Sequence, residues 1–414
     1  MSDSIPYDPT DRLFLWMLAD PTNPAPVGEI SLVQNGRGVA LRYDQDWLEH
    51  GFALSDDLPL TGRLFLPTLN QDAVGAVDDA RPDRWGERVI LKFESSPRTS
   101  VLEVLLFAGA DRFGALGVSQ HPDEYSPWAC TPIPSLEDLP AMQEAIRKVL
   151  DNEAVGAIGQ RLLQPGVGFG GARPKSLIEI DGQPWLVKFG EGEEEDTPLI
   201  EHATMTLAAK CGVHVAHTRA LSVSSRRALA VRRFDREPGG RRVHAISARV
   251  VLRAAGEEFS YPKLAQQLQR LVRPSEIAQQ QAQLFRRMVF NILMDNTDDH
   301  EKNHALLRQE DGTWLLSPAF DVVSSLSGIG YQSLVVGRDR NNSTLENALS
   351  EAASFGLKQP LAKEIVREVA QGIDGWQVHF KVCGITDADM ATLAQYLDNE
   401  RLGSQRKSAL CLRT

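Results

Sequence analysis

The sequence predicts an α+β chain, β-rich near its N-terminus and mostly helical beyond residue 248. Two short runs, 12–18 (RLFLWML) and 28–33 (GEISLV), carry strand patterning, and an NGRG turn signal follows the second. A glycine-rich stretch, GVGFGGARPK, opens directly onto a strand, an Asp181-Gly182 turn and another strand. From Ala248 onward the pattern is mostly helical, with 328–337 (GIGYQSLVVG) an exception of loop or short strands.

A chain of 414 residues is too long for one small core, and two or three packed units are expected. Hydrophobic residues at 42% and charged residues at 24% are ordinary for a globular protein. The net charge of −11 argues against a protein that coats nucleic acid through phosphate contacts. Cys130, Cys211, Cys383 and Cys411 are scattered without a CxxC pair, which disfavours zinc and a disulfide framework and fits a reducing compartment. The histidines show no HExxH or paired spacing. The first residues, MSDSIPYDPTDR, are polar and acidic, unlike a signal peptide. No apolar run approaches the roughly 18 residues that span a bilayer. A cytoplasmic protein with no membrane partner and no direct nucleic-acid partner is expected.

Arg42-Tyr43 ends a third N-terminal strand. DARPDRWGERVILKF, Asp79 to Phe93, reads as a helix begun near Pro82 with Trp85 and Ile90 facing inward. Residues 101–110 read as a buried helix, and DRFGALGVS returns to strand. Pro122, Pro127 and Pro132 mark 121–134 as a linker, and 138–163 as one or two amphipathic helices.

Gly166, Gly168 and Gly171 satisfy GxGxxG, a weak signal alone. A dinucleotide loop must open a helix, whereas these glycines precede strand 176–180 and a second strand ending in Lys188. A glycine-rich loop on a β-hairpin with a lysine on the next strand is the layout protein kinases use to cover and pair with phosphates. The run 191–196 (EGEEED) reads as a solvated loop. The helix from Thr197 to Cys211 carries Glu201, the candidate partner of Lys188; a surface glutamate favoured by the helix dipole is the other reading. Strands at 213–223 and 228–231 lead to RRFDRE, a connection whose Arg232 and Phe234 offer backbone groups to an adenine edge and whose Asp235 reaches a ribose.

Residues 284–321 carry the chemistry. An apolar helix runs into a polar loop with Asp298 and Asn303; strands 304–307 and 314–316 flank an Asp311-Gly312 turn and lead to Asp321. A carboxylate, an amide five residues on and a second carboxylate past a hairpin recur in phosphoryl transfer. Asp298 lies near the attacking hydroxyl, and Asn303 and Asp321 hold magnesium on ATP. Asp299 reads as structural or phosphate-adjacent, His300 as an orienting hydrogen-bonder beside the nucleotide, and His304 as packing at the strand start. Lys302 reaches a phosphate oxygen or is simply exposed.

These residues resemble the HipA family of serine/threonine kinases, the toxins of type II toxin–antitoxin pairs. The resemblance runs over nearly the whole chain: DARPDRWGE and DRFGALGVS in an N-terminal coupling domain, then GGARPK, LVKF, RRFDR, RVHAISARVVL, NTDDHEKN and SPAFDVVSS. It implies a two-lobed, protein-kinase-like fold with an all-helical C-terminal lobe and a small β-rich N-terminal subdomain. The boundaries are 1–122 for the coupling subdomain, 123–235 for the N-lobe and linker, and 236–414 for the C-lobe. It implies ATP- and magnesium-dependent phosphorylation of a protein hydroxyl, with an aminoacyl-tRNA synthetase such as the glutamyl enzyme as target. The implied partner is a small DNA-binding antitoxin of HipB type. Matched residue by residue, Asp298 is the catalytic base, Asn303 and Asp321 are metal ligands, Lys188 holds phosphate, and Gly170, Gly171, Ala172, Arg173 and Lys175 lie in the phosphate loop.

The sequence departs from the family at one point. Many members carry a serine shortly before the loop's GA pair, and its autophosphorylation switches the kinase off. Here that stretch is GVGFGG, without a hydroxyl, and Ser176 follows Lys175 on the strand side. Self-silencing through the loop is therefore expected to be absent or to use another residue. A kinase-fold scaffold that binds a repressor, and a small-molecule kinase, are the alternative functions.

Overall fold

A computed structural model describes residues 7–69, 72–166, 171–224 and 226–412. The chain forms two compact units, Met1–Val187 with Asp235–Ile246, and Lys188–Phe234 with Ser247–Thr414. This division differs from the expected boundaries at 122 and 235. It falls inside the strand Gln183–Phe189, so that Val187 closes one unit and Lys188 begins the other.

The first unit is built on an antiparallel four-stranded sheet, ordered Gly38–Tyr43, Ala25–Val33, Arg12–Met17, Leu116–Ser119. Arg12 pairs with Ser31 and Phe14 with Ser119, and the register shifts between Leu15 and Trp16. The strand Ala25–Val33 begins three residues before the apolar run that announces it, because its first residues pair with Trp16 and Met17. All seven residues of helix Val101–Phe107 are buried. Its start is fixed by a capping box in which Ser100 and Glu103 satisfy each other's backbone donors. Helix Arg84–Phe93 begins after N-cap Asp83, and Trp85 and Ile90 are buried as the periodicity predicts. In the hairpin Lys175–Ile180 and Gln183–Phe189, Asp181 (φ 54°) and Gly182 (φ 70°) both adopt the left-handed region, as a two-residue type I′ turn requires.

The second unit holds helix Thr197–Lys210 and the hairpin Thr218–Val223 with Arg226–Arg232. The first strand is shorter than its apolar pattern, because Val215 bridges to Ala319 instead. Helix Ile277–Leu293 is the spine: Leu284, Phe285, Met288, Val289, Phe290, Ile292 and Leu293 are all buried. It packs against helices Tyr261–Leu271 and Gln359–Ile373. Burial of roughly 1.5–3 kcal/mol per such side chain makes this helix a rigid base for the loop at its end. The hairpin Ala305–Arg308 with Trp314–Leu316 follows; its Asp311-Gly312 signal is realised as a three-residue loop closed by Gln309 N–H to Thr313 O, with Gly312 at φ 85°. No helix among the described residues is long and apolar enough to cross a membrane.

Candidate active site

The candidate residues lie in both units. In the second, Lys188, one residue before the end of its strand, has Nζ 2.6 Å from Glu201 Oε1 and 2.5 Å from Asp321 Oδ1. Glu201 is 2% exposed, which decides against a surface glutamate. Burial alone would lower the lysine pKa, but the Asp321 and Glu201 carboxylates outweigh it and hold the ammonium above its ordinary value. Asp321 adopts φ 57°, a conformation L residues other than Asn and Asp rarely take. Phe320 stacks at 5.3 Å on Phe234, one of the two adenine-edge candidates. The other, Arg232, has its amide N–H committed to His217 O at 2.9 Å, so the structure removes that donor from the adenine reading.

The loop after the spine helix is fixed from several sides. Thr297 and Asp298 N–H both donate to Ser325 Oγ, at 2.8 and 3.2 Å. Ser325 N–H donates in turn to Asp295 O. Asp295 is fully buried and accepts from Gly328 N–H and Arg401. The Asp298 side chain is left exposed at the loop surface. Asn303 Nδ2 donates to Asp298 O at 3.3 Å, whereas Asn303 Oδ1 is buried without a hydrogen-bond partner. His300 Nδ1 accepts from Lys302 N–H at 3.2 Å, an orienting bond inside the loop. Beneath them Asp299 is sealed from solvent, accepting from Tyr261 Oη and lying 2.8 Å from His304 Nε2.

Asn303 offers a buried amide oxygen with no donor, and Asp321, past the hairpin that follows, offers a carboxylate. Magnesium is commonly held this way, by one or two protein oxygens, the rest coming from water and nucleotide phosphates. Asn303 and Asp321 therefore fit the ion. Among the described residues no cluster of three or more His, Cys, Asp or Glu side chains could hold a metal by itself.

In the first unit, Gly170 lies outside the described residues, as does Gly168. Gly171 adopts φ 91°, accessible to glycine and strained for other residues, and a Cβ there would stand 3.2 Å from Lys175 Nζ. Ala172 is exposed and Arg173 half-buried. Two expected roles change. Lys175 Nζ is buried against Asp83 Oδ2 at 2.5 Å and does not lie open for phosphate. Asp235 is fully buried and accepts from Gly114 N–H (2.7 Å) and Arg236 (2.9 Å), which rules out the ribose contact in this arrangement. The polar RRFDRE run gave no sign of that burial. Ser176 is buried as well, donating to Leu162 O at 2.8 Å and accepting from Gln164 N–H.

Sequence reasoning missed Ser325, Asp295 and Tyr261. Their partners lie about 30 residues or more away, and Ser325 had only its place in the SPAFDVVSS motif to mark it.

Comparison with known proteins gives a consistent picture. Residues 167–376 match the HipA-like C-terminal domain, and residues 22–119 match the HipA N-terminal domain. The serine/threonine-protein kinase toxin HipA of Shewanella oneidensis is 23% identical over 332 residues, 72% of each chain. Two Sinorhizobium fredii proteins named as kinases also match. Y4mE is 26% identical over 386 residues, 87% of this chain and 84% of that one. Y4dM is 27% identical over 207 residues, 47% of this chain and 50% of that one, so the chain spans about half of that relative. A solved structure of Shewanella oneidensis HipA, in a complex with HipB and operator DNA, superposes with a TM-score of 0.68 at 19% identity, covering 97% of this chain and all of that one. The fold is thus α+β and kinase-like.

Proposed function

The chain belongs to the HipA family of kinases, and on that premise we propose that it transfers the γ-phosphoryl group of ATP to a serine or threonine hydroxyl of a protein. The observation that carries this reading is the buried Lys188, held between Glu201 and Asp321. A lysine pinned by a helical carboxylate and a metal-site carboxylate is a phosphate-holding device, and its charge is fixed before substrate arrives.

Asp298 is the group that accepts or orients the attacking hydroxyl. Its side chain is exposed while its backbone is tied to Ser325 and, through its carbonyl, to Asn303, so the carboxylate is aimed by a rigid loop and open to a protein substrate. Asn303 Oδ1 and Asp321 are the metal ligands. Magnesium bound there with ATP neutralises charge on the phosphates. Lys188 pairs with phosphate oxygens. The segment Gly171–Lys175 is the phosphate loop, its backbone N–H groups being the binding elements. His300 and Lys302 line the catalytic loop.

The partner we assign is a small DNA-binding antitoxin, supported by the HipB found with the structurally similar HipA. The target class is a protein of translation such as an aminoacyl-tRNA synthetase, supported by family resemblance, with growth arrest as the outcome. Incubating host lysate with γ-labelled ATP and magnesium tests the activity. The wild type should label a discrete protein band and Asp298→Asn should not. ATP binding without any labelling would move a scaffold role ahead.

A further inference from the structure

The motif DARPDRWGE lies far in sequence from every catalytic candidate, yet its helix contacts the glycine-rich segment at both ends. Asp83 uses its two carboxylate oxygens differently. Oδ1 accepts from Gly86 N–H at 3.0 Å and caps helix Arg84–Phe93; Oδ2 takes Lys175 Nζ at 2.5 Å. Trp85 Nε1–H donates to Lys175 O at 2.8 Å. Both side chains of the ion pair are at least 95% buried, at 4% and 3% exposure, and Trp85 is 2% exposed. At the other end, Gly86 packs so tightly on Pro165 that a Cβ would stand 2.0 Å from Pro165 O. Gly166 likewise leaves only 2.3 Å to Ala108 O. Ser176 ties the two ends together through Leu162 O and Gln164 N–H.

We propose that the N-terminal end of helix Arg84–Phe93 is the seat of the nucleotide loop, with Asp83, Trp85 and Gly86 as positioning residues for ATP phosphate binding. The inference rests on reading Gly171–Lys175 as the phosphate loop. A loop that binds anions through backbone N–H groups depends on the exact placement of the residue at which it is anchored. Here the Lys175 end is fastened by a buried charge pair and an indole N–H. Lys175 serves as the loop's anchor. Any ligand or partner that shifts this helix thereby shifts phosphate affinity.

Full-length wild type, Asp83→Asn and Trp85→Phe are titrated with Mg-ATP by calorimetry, and KM and kcat are measured beside melting temperature. Loss of one charge-assisted or buried hydrogen bond at the anchor should weaken Mg-ATP binding and raise KM for ATP by about tenfold, with a much smaller change in kcat. Hydrogen exchange at Lys175 and Ser176 should quicken. Asp83→Glu, which keeps the carboxylate, should recover part of the affinity. A role in folding alone would lower the melting temperature and the active fraction while leaving Kd and KM unchanged, and that result overturns the inference. Should Asp83→Asn fail to fold, Trp85→Phe, which deletes one N–H and keeps the bulk, decides the matter by the same readout. If the wild type binds Mg-ATP and the folded variants bind it equally, the anchor fails alone. If the wild type binds none, the phosphate-loop reading falls and the anchor with it.

Discussion

His304 Nε2 lies 2.8 Å from Asp299 Oδ2, and both side chains are sealed from solvent directly below the loop that carries Asp298. The same carboxylate oxygen accepts from Tyr261 Oη, which also accepts from Asn291. Burial by itself would raise the Asp299 pKa, but the His304 and Tyr261 interactions outweigh it and hold it below the ordinary carboxylate value. The backbone of Asp298 is thus braced on one side by Ser325 and on the other by its neighbour's buried network.

Asp299→Asn should cost about 1–3 kcal/mol of stability, because it takes the buried carboxylate away from Tyr261 Oη and His304 Nε2. It should also lower kcat more than KM for ATP. Since the folded pKa is depressed, the interaction contributes stability above the unfolded value of about 3.9 and loses it as pH falls through the folded value. Denaturant unfolding from pH 6 downward checks this: the variant should show a shallower acid decline than the wild type. An equal decline would remove Asp299 from the account.

Glu201→Gln keeps the shape of the Lys188 partner and removes its charge. The lysine then leans on Asp321 alone, and kcat/KM for ATP should fall by about tenfold or more. Steady-state kinetics at saturating magnesium would show it. Unchanged kinetics would mean that the pair is structural only.

Asn303→Leu removes the buried oxygen that has no partner. The oxygen gains nothing in the apo protein and the substitution otherwise loses only the Nδ2 bond to Asp298 O, so the stability cost should be about 1 kcal/mol, the net worth of one hydrogen bond. The magnesium concentration needed for half-maximal activity should rise severalfold. A strongly destabilised variant with normal magnesium dependence would contradict the ligand role.

Ser176 should remain unmodified after incubation with ATP. Its buried hydroxyl is spent on Leu162 O at the end of helix Ala157–Leu162, and the sequence from Gly166 to Gly171 holds no hydroxyl at all. Mass spectrometry of the peptide spanning 166–176 checks it. A phosphate on Ser176 would show that the hairpin opens during turnover.

Much of this arrangement was legible in the sequence, for local reasons. The two Asp-Gly turns, the strand that carries Lys188 and the apolar helix running into Asp298 each leave a short-range pattern, and each is present, the strand running one residue further to Phe189. The ion pair of Lys188 with Asp321 joins residues 133 positions apart, and nothing in the sequence announced it: the two residues were named separately, one as the phosphate-holding lysine and one as a metal ligand. The anchors were less visible. Asp83 meets Lys175 across 92 positions and Tyr261 meets Asp299 across 38, and such contacts leave no imprint on composition or spacing. Asp235 misled for a related reason: among charged neighbours it reads as exposed, whereas Gly114 N–H and the guanidinium of Arg236 satisfy it inside the fold.

The central claim is that Asp298 orients a protein hydroxyl toward ATP, and one measurement meets it most directly. Wild type and Asp298→Asn are compared for Mg-ATP affinity and for transfer of γ-label to protein in host lysate. The account predicts affinities equal within about twofold and a loss of transfer of at least 100-fold, the scale of a positioned general base. Near-normal transfer by Asp298→Asn would contradict it.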